Sequence, residues 1–326
     1  MAADGPRGRV SAQPAPPVEL RDTHGVFHDR ALYERELATL FAGGWFCAGT
    51  RDELERGELV HPVGPWRYHV TPGDPLRAWR EDEPQRALPA EARGPYVFVC
   101  GAAPPPQPLS EALGPQAEVL ERLGALARGF LFEVRQEIPA NWKLVVSGAI
   151  EDYHVPHVHG RSVNPWRRDP APPLLHPGGH SSYGTSAAGG LGPRLIHRVV
   201  AGAAPVTQDF ENHLVYPNLL TIRLWGLVHV TTLTPLARDL TLRRTRIYEH
   251  DPPSGWSPRR PLRALTARVL RELMSVTFRE DLAIAIEAQA GTSISQSRRR
   301  GPAHAEEARV EHFLAETWRR ANRAGE

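Results

Sequence analysis

Residues 151 to 160, EDYHVPHVHG, bring three histidines and two carboxylates into ten positions, shortly after the chain's only lysine, Lys143. Imidazoles and carboxylates are the donor groups of zinc and non-heme iron sites. His154 and His159 are five residues apart, about 140° of rotation on an ideal helix, so an unbroken helix would not turn both rings to one face. Pro156 lies between them, and a proline removes a helical hydrogen bond and pushes the backbone aside. A local break would let both rings meet at one point. Glu151, three residues before His154, lies close to it on a helical face.

Two third ligands are compatible with the sequence. His157 would complete a zinc-like tri-histidine site. Asp281 is the stronger choice: in TFREDLAIAIEAQAG it is bracketed by Phe278, Ile284 and Ala285 at i−3, i+3 and i+4. That is an apolar stripe, where a carboxylate is costly unless paired or bound to a metal. Glu280 and Glu287 fit an ordinary helix salt bridge better. Two imidazoles and one carboxylate form the facial triad of non-heme Fe(II) oxygenases. Spacing alone does not choose iron over zinc, nor exclude surface histidines in a proline-containing loop.

The surrounding elements are legible from periodicity. ALYERELATLF (31 to 41) spaces Leu32, Leu37, Leu40 and Phe41 along one helical face. Residues 58 to 100 form short strands and turns, ending in the buried strand PYVFVC. LSEALGPQAEVLERLGAL is helical in two pieces, and FLFEVRQEI alternates as a strand. Residues 213 to 249 contain three or four antiparallel strands rich in Val, Thr and Ile. A long helix follows and stops at Gly291, a suitable C-terminal cap. EEARVEHFLAETWRRAN closes the chain as an amphipathic helix. Strands followed by helices, without regular alternation, indicate an α+β fold.

Composition sets the remaining bounds. The 326 residues are 41% hydrophobic with eight tryptophans, enough for a substantial core. A net charge of +2 gives no footprint for nucleic acid. No run is long and apolar enough for a membrane span, and MAADGPRGRVSAQPAPP lacks a secretory apolar core. A soluble cytoplasmic protein is expected. Cys47 and Cys100 read as ordinary buried thiols. Proline clusters at 13 to 17, 104 to 108 and 170 to 177 mark a tail, a linker and a surface loop.

NWKLVVSGAIEDYHVPHVHG (141 to 160) resembles the catalytic signature of Rieske-type aromatic-ring-hydroxylating oxygenase α subunits, through Asn141, Trp142, Lys143, Glu151, Tyr153, His154, Pro156 and His159. VYPNLLTIRLWGLVHVTTLTPL, REDLAIAIEAQAGTSIS, EEARVEHFLAETW and the upstream LYERELATLFAGGWFCAGT are similar to further segments of that family, in its order. The resemblance implies a START-like helix-grip catalytic domain, a curved antiparallel sheet wrapped over a long helix. It implies His154, His159 and Asp281 as ligands of mononuclear Fe(II), and Glu151 as the carboxylate linking that iron to a neighbouring subunit's cluster. His157 has no ligand role in the pattern.

The chain departs from the family in two places. A Rieske cluster needs Cys-x-His and Cys-x2-His, and neither pair occurs here. The expected organisation is therefore a tail (1 to 23), an entry helix with a truncated Rieske-region remnant that binds no 2Fe–2S cluster (24 to 103), and the iron domain (104 to 326). The acid-Asn pair that commonly precedes the bridging carboxylate is Ser147-Gly148.

The expected function is oxidation of a small organic molecule by dioxygen, as hydroxylation or oxidative dealkylation, with electrons supplied in trans by a Rieske or ferredoxin/reductase donor. The assembly expected is a homotrimer or a mixed one with a complete α subunit. The alternatives are a cosubstrate-dependent iron oxygenase, a non-catalytic subunit that keeps the pocket, and a zinc hydrolase. Tyr216, Trp225 and Tyr248 are either pocket aromatics, even a cage for a quaternary amine, or core residues.

Overall fold

A computed structural model describes residues 23–151, 153–159, 172–186, 209–224, 226–249, 259–294 and 307–322. It opens with helices α1 (Thr23–His28) and α2 (Arg30–Glu36). Between them Asp29 caps α2, its carboxylate accepting from the amides of Ala31 and Leu32 at 2.7 and 3.2 Å. The helix widens into a π-helical turn over Leu37–Phe41. Leu32, Leu37, Leu40 and Phe41 are all buried, as their spacing predicts.

Seven short strands follow: β1 (Trp45–Thr50), then, after the one-turn helix α3 (Arg51–Leu54), β2 (Leu59–Val63), β3 (Trp66–Thr71), β4 (Arg77–Arg80), β5 (Glu83–Leu88), β6 (Ala90–Arg93) and β7 (Tyr96–Cys100). They pair into two antiparallel sheets, β1-β7-β6 and β2-β3-β4-β5. Cys47 and Cys100 are free and buried.

Helices α4 (Leu109–Leu113) and α5 (Gln116–Leu126) precede β8 (Gly129–Ile138), α6 (Trp142–Ile150) and the single turn α7 (Val155–Val158). Strands β9 (Leu174–Leu175), β10 (Ser181–Ser186), β11 (Asp209–Val215), β12 (Leu219–Leu224), β13 (Leu227–Ala237) and β14 (Leu240–Glu249) join β8 in one antiparallel sheet, ordered β8-β14-β13-β12-β11-β10-β9. The long helix α8 (Arg259–Ile294) and the closing helix α9 (Ala308–Asn322) pack against α6. The fold is the expected α+β helix-grip, with α8 lying along the sheet beside β8.

Helix α8 does not stop at Gly291. A glycine costs about 1 kcal/mol inside a helix, and the following turn is held from outside, because Thr292 Oγ1 lies 2.9 Å from His28 Nε2 on α1. The small N-terminal sheets are tied to the large one through ion pairs. Arg246 reaches Asp52 (2.5 Å) and Arg244 reaches Glu53, while the Tyr248 hydroxyl donates to Asp52 at 2.8 Å. Tyr248 is thereby committed to packing between these units.

Candidate metal centre

The Asn-Trp-Lys triplet fixes the start of α6. Asn141 caps the helix, its Oδ1 accepting from Lys143 N at 3.0 Å. Its Nδ2 donates to the carbonyls of Phe27 and Arg238, and its backbone amide donates to Gln289 on α8. One residue, through its side chain and its backbone amide, thus pins α6 to α1, to the β13–β14 turn and to α8. Lys143 and the Trp142 indole both donate to Glu36 of α2, at 2.8 and 2.9 Å, in a fully buried cluster. The sole lysine therefore positions the helix and does not touch the histidines.

Helix α6 ends at Ile150, and Glu151 is extended (φ −107°, ψ 156°). The chain then turns into α7, with His154 and His159 flanking that single turn. The backbone break that the histidine spacing requires is present, one turn earlier than Pro156. Pro156 sits in the first turn of α7, where its missing N–H costs nothing. Because the helix is interrupted, the two rings come to 5.2 Å between centroids.

Asp281 meets them from α8. Its Oδ1 lies 2.9 Å from His159 Nε2 and 3.9 Å from His154 Nε2, and one donor atom from each of the three residues falls within 4.8 Å of the others. Donors about 2.1 Å from a common ion, at right angles, stand about 3 Å apart. The three side chains therefore fit one ion with little movement, and all three donors approach from the protein side. His157 is exposed and lies outside the group.

The far nitrogen of each ring is also occupied. His154 Nδ1 is hydrogen-bonded to Glu151 Oε1, and His159 Nδ1 lies 2.8 Å from Glu280 Oε2. A carboxylate behind each imidazole places the proton on Nδ1 and leaves the Nε2 lone pair facing inward, the arrangement of metal-binding histidines. Glu280 thus has a different part from the helix salt bridge its sequence context predicts. It lies off the apolar stripe of α8, so helical phase gives no signal for it. Burial pushes the Asp281 carboxyl up, but His159 and Arg243 together hold it below the usual carboxylate range. Burial likewise opposes charge on His159, yet Asp281 and Glu280 raise its pKa. The His159 shift reports stabilisation of positive charge by the two carboxylates, and the Asp281 shift reports stabilisation of its carboxylate by the neighbouring cations.

Arg243 is the residue sequence reasoning missed. It is 7% exposed on β14, and its Nη1 donates to Asp281 Oδ2 at 3.1 Å. An arginine in register with Thr245 and Ile247 on one strand face is the available signal, since a charge on an apolar face calls for a partner.

A cavity of about 430 Å³ opens beside the triad, between α6, α8 and the inner face of β11 to β14. From α8 it is lined by Leu270, Met274, Thr277, Phe278, Asp281 and Ala285, the helical stripe that the sequence places around Asp281. Tyr216 and Tyr248 do not line it. Tyr216 is buried with its hydroxyl donating to Thr317, so both tyrosines are core residues; Trp225 lies outside the described residues.

A family model described as the ring hydroxylating alpha subunit (catalytic domain) matches residues 126–322, well over half of the chain. The chain belongs to that family. Ring-hydroxylating alpha subunits are oxidoreductases with a mononuclear non-heme iron, and the His154, His159 and Asp281 group lies within the matched span.

Solved structures of this family share the fold. The quaternary ammonium Rieske monooxygenase CntA in complex with L-carnitine superposes with a TM-score of 0.72 at 16% identity, covering 95% of this chain and 100% of the other. Naphthalene 1,2-dioxygenase from Rhodococcus sp., bound to indole, gives 0.62 at 13% identity over 93% and 95%. The superposed length includes the small N-terminal sheets, a Rieske-like β region. No curated protein matches the sequence. Among the described residues no helix is long and apolar enough to cross a membrane.

Proposed function

We propose that His154, His159 and Asp281 hold a mononuclear ferrous ion, and that the protein uses it to oxidise a small organic molecule with a largely apolar body. One observation carries this reading. Both imidazoles are backed by carboxylates on Nδ1 and turned by Nε2 toward Asp281 at the wall of an apolar cavity. Iron in this site would supply the activation of dioxygen, chemistry that protein side chains alone do not provide.

The chain's own residues supply the rest. Glu151 and Glu280 fix the imidazole tautomers. Leu, Ile, Met and Ala side chains from α8 and the sheet exclude water and hold an apolar body against the triad. Arg243 in that wall is engaged with Asp281, and the aromatic side chains that line the cavity among the described residues include Tyr153, Phe210 and Phe278. A substrate with a largely apolar body fits these walls.

The electrons are assigned to a donor in trans, a Rieske or ferredoxin-type protein. Glu151 supports this: it joins His154 to the edge of the site beside Tyr153, which is 44% exposed, and so lies on a path toward a docking partner. The cysteines support it as well. Cys47 Sγ bonds to Gly49 O, and burial pushes its thiol up to about 12, the behaviour of a packed core thiol rather than of a cluster ligand.

The test is metal analysis of anaerobically purified protein beside D281A, followed by turnover assays. One iron per chain, absent from the variant, with turnover that requires a reconstituted Rieske or ferredoxin donor, is the expected result. Turnover with ascorbate or an oxoacid and no partner would replace the donor in trans by a cosubstrate. Zinc, or equal metal in both proteins, would remove the iron reading.

A further inference from the structure

Arg243 lines the cavity and is hydrogen-bonded to Asp281, Gln136 and Phe278. We infer that Arg243 is a positioning residue that holds Asp281 to a single metal-facing oxygen, so that the triad offers three donor atoms rather than four. The inference rests on the reading of His154, His159 and Asp281 as metal ligands.

The two oxygens of Asp281 are divided between two tasks. Oδ1 faces both imidazoles, at 2.9 and 3.9 Å, while Oδ2 accepts from Arg243 Nη1 at 3.1 Å. To bind a metal through both oxygens, the carboxylate would have to rotate Oδ2 away from the guanidinium. Arg243 is not free to follow. Its Nη2 donates to Gln136 Oε1 at 2.5 Å and to the Phe278 carbonyl at 3.2 Å, and its guanidinium carbon stands 3.7 Å from the centre of the Phe278 ring.

These braces come from two elements. Gln136 on β8 is the direct cross-strand partner of Arg243 on β14, and Phe278 lies one helical turn before Asp281 on α8. The clamp and the ligand it holds are thus built on the same helix. The planar guanidinium suits this part, since its fixed fork can hold a carboxylate, an amide oxygen and a carbonyl at once. Its positive charge also draws electron density from the carboxylate, making Asp281 a weaker donor than a free aspartate.

Two consequences follow. A metal in the site keeps one more position for small molecules than a two-oxygen aspartate would leave, and the site binds divalent ions less tightly than its carboxylates alone would allow.

Cobalt(II) tests both without turnover, because its visible bands weaken as coordination number rises. Anaerobic titration of the wild type should saturate at one cobalt per chain. R243M should bind at least as tightly, with visible absorption per cobalt lowered by about two-fold as Oδ2 joins the metal. An unchanged or stronger spectrum in R243M, or loss of cobalt binding with an intact far-UV spectrum, would overturn the inference. Should R243M not fold, R243K carries the test: an ammonium keeps the charge but cannot span Asp281, Gln136 and Phe278. A smaller fall in absorption is then expected, and an unchanged spectrum overturns the clamp. A wild type that binds no cobalt would instead sink the triad reading itself, and the clamp with it.

Discussion

Lys143 and Glu36 form an ion pair of 2.7 Å in which each side chain is no more than 2% exposed. The pair joins α6, which carries Glu151 at its end, to α2 at the entry of the chain. Desolvation holds the lysine pKa below its ordinary value and Glu36 offsets part of that fall, so the ammonium depends on its partner. Removing one member strands a buried charge, at a cost of about 3 to 5 kcal/mol. K143M is therefore expected to lower unfolding stability in urea by that amount, whereas K143M combined with E36Q, which removes the charge but keeps an acceptor for the Trp142 indole, should recover most of it. A double variant as unstable as the sum of the singles would mean that the pair is not coupled.

The outer carboxylates make a second prediction. With the proposed triad as the ligand set, D281A and H159A should lose the metal outright. E280Q and E151Q keep a group behind each ring but weaken its hold, and should reduce metal affinity by about 10- to 100-fold. H157A, altering an exposed ring, should leave affinity unchanged. Competitive titration against a chelator separates these cases, and metal loss in H157A would restore the tri-histidine alternative.

The contrast between these residues shows what the sequence carries. That His154, His159 and Asp281 come together is legible because their type conflicts with their setting: imidazoles crowded around a proline, and an acid inside an apolar helical stripe. The α+β class, the buried face of residues 31 to 41 and the strand YVFVC follow from periodicity alone. Glu280 and Arg243 are not legible in the same way. Each matters through a contact with an element more than 30 residues away in the chain, and no local pattern encodes which side chain will stand opposite. Gly291 misled for a related reason: the helix continues because His28 grips the turn beyond it, a contact absent from local propensity. The proposed division at residue 103 has a physical qualification, since Arg244 and Arg246 cross it with ion pairs to Glu53 and Asp52.

Within the cavity, His229 offers the third prediction. It lines the wall on β13 and makes no hydrogen bond among the described residues, and burial lowers its pKa to about 4. At neutral pH it is an uncharged imidazole able to give or accept one hydrogen bond with a bound molecule. H229F should raise KM by about 10-fold for a substrate carrying a hydroxyl or carbonyl, with little change for its hydrocarbon counterpart. Equal changes for both members of such a pair would reduce His229 to a matter of volume.

His180 gives the stability a pH dependence. It is 3% exposed, its Nδ1 accepts from the Tyr216 amide at 3.0 Å, and its Nε2 donates to the Ala112 carbonyl at 2.9 Å. A proton on Nδ1 would set donor against donor. Burial, chiefly, lowers its pKa to about 4 from 6.5. Between those values the unfolded chain takes up a proton that the folded chain refuses. The contribution is thus fully present above pH 6.5 and is lost as pH falls toward 4, amounting to about 3 kcal/mol in all. His61, buried and lowered to about 3, adds a second loss over the same range and below it. H180Q should therefore remove part of the acid sensitivity and leave the His61 part. Urea unfolding of wild type and variant at pH 5 and pH 7.5 measures the difference, and an identical pH slope in the two proteins would show that the His180 proton is not excluded by the fold.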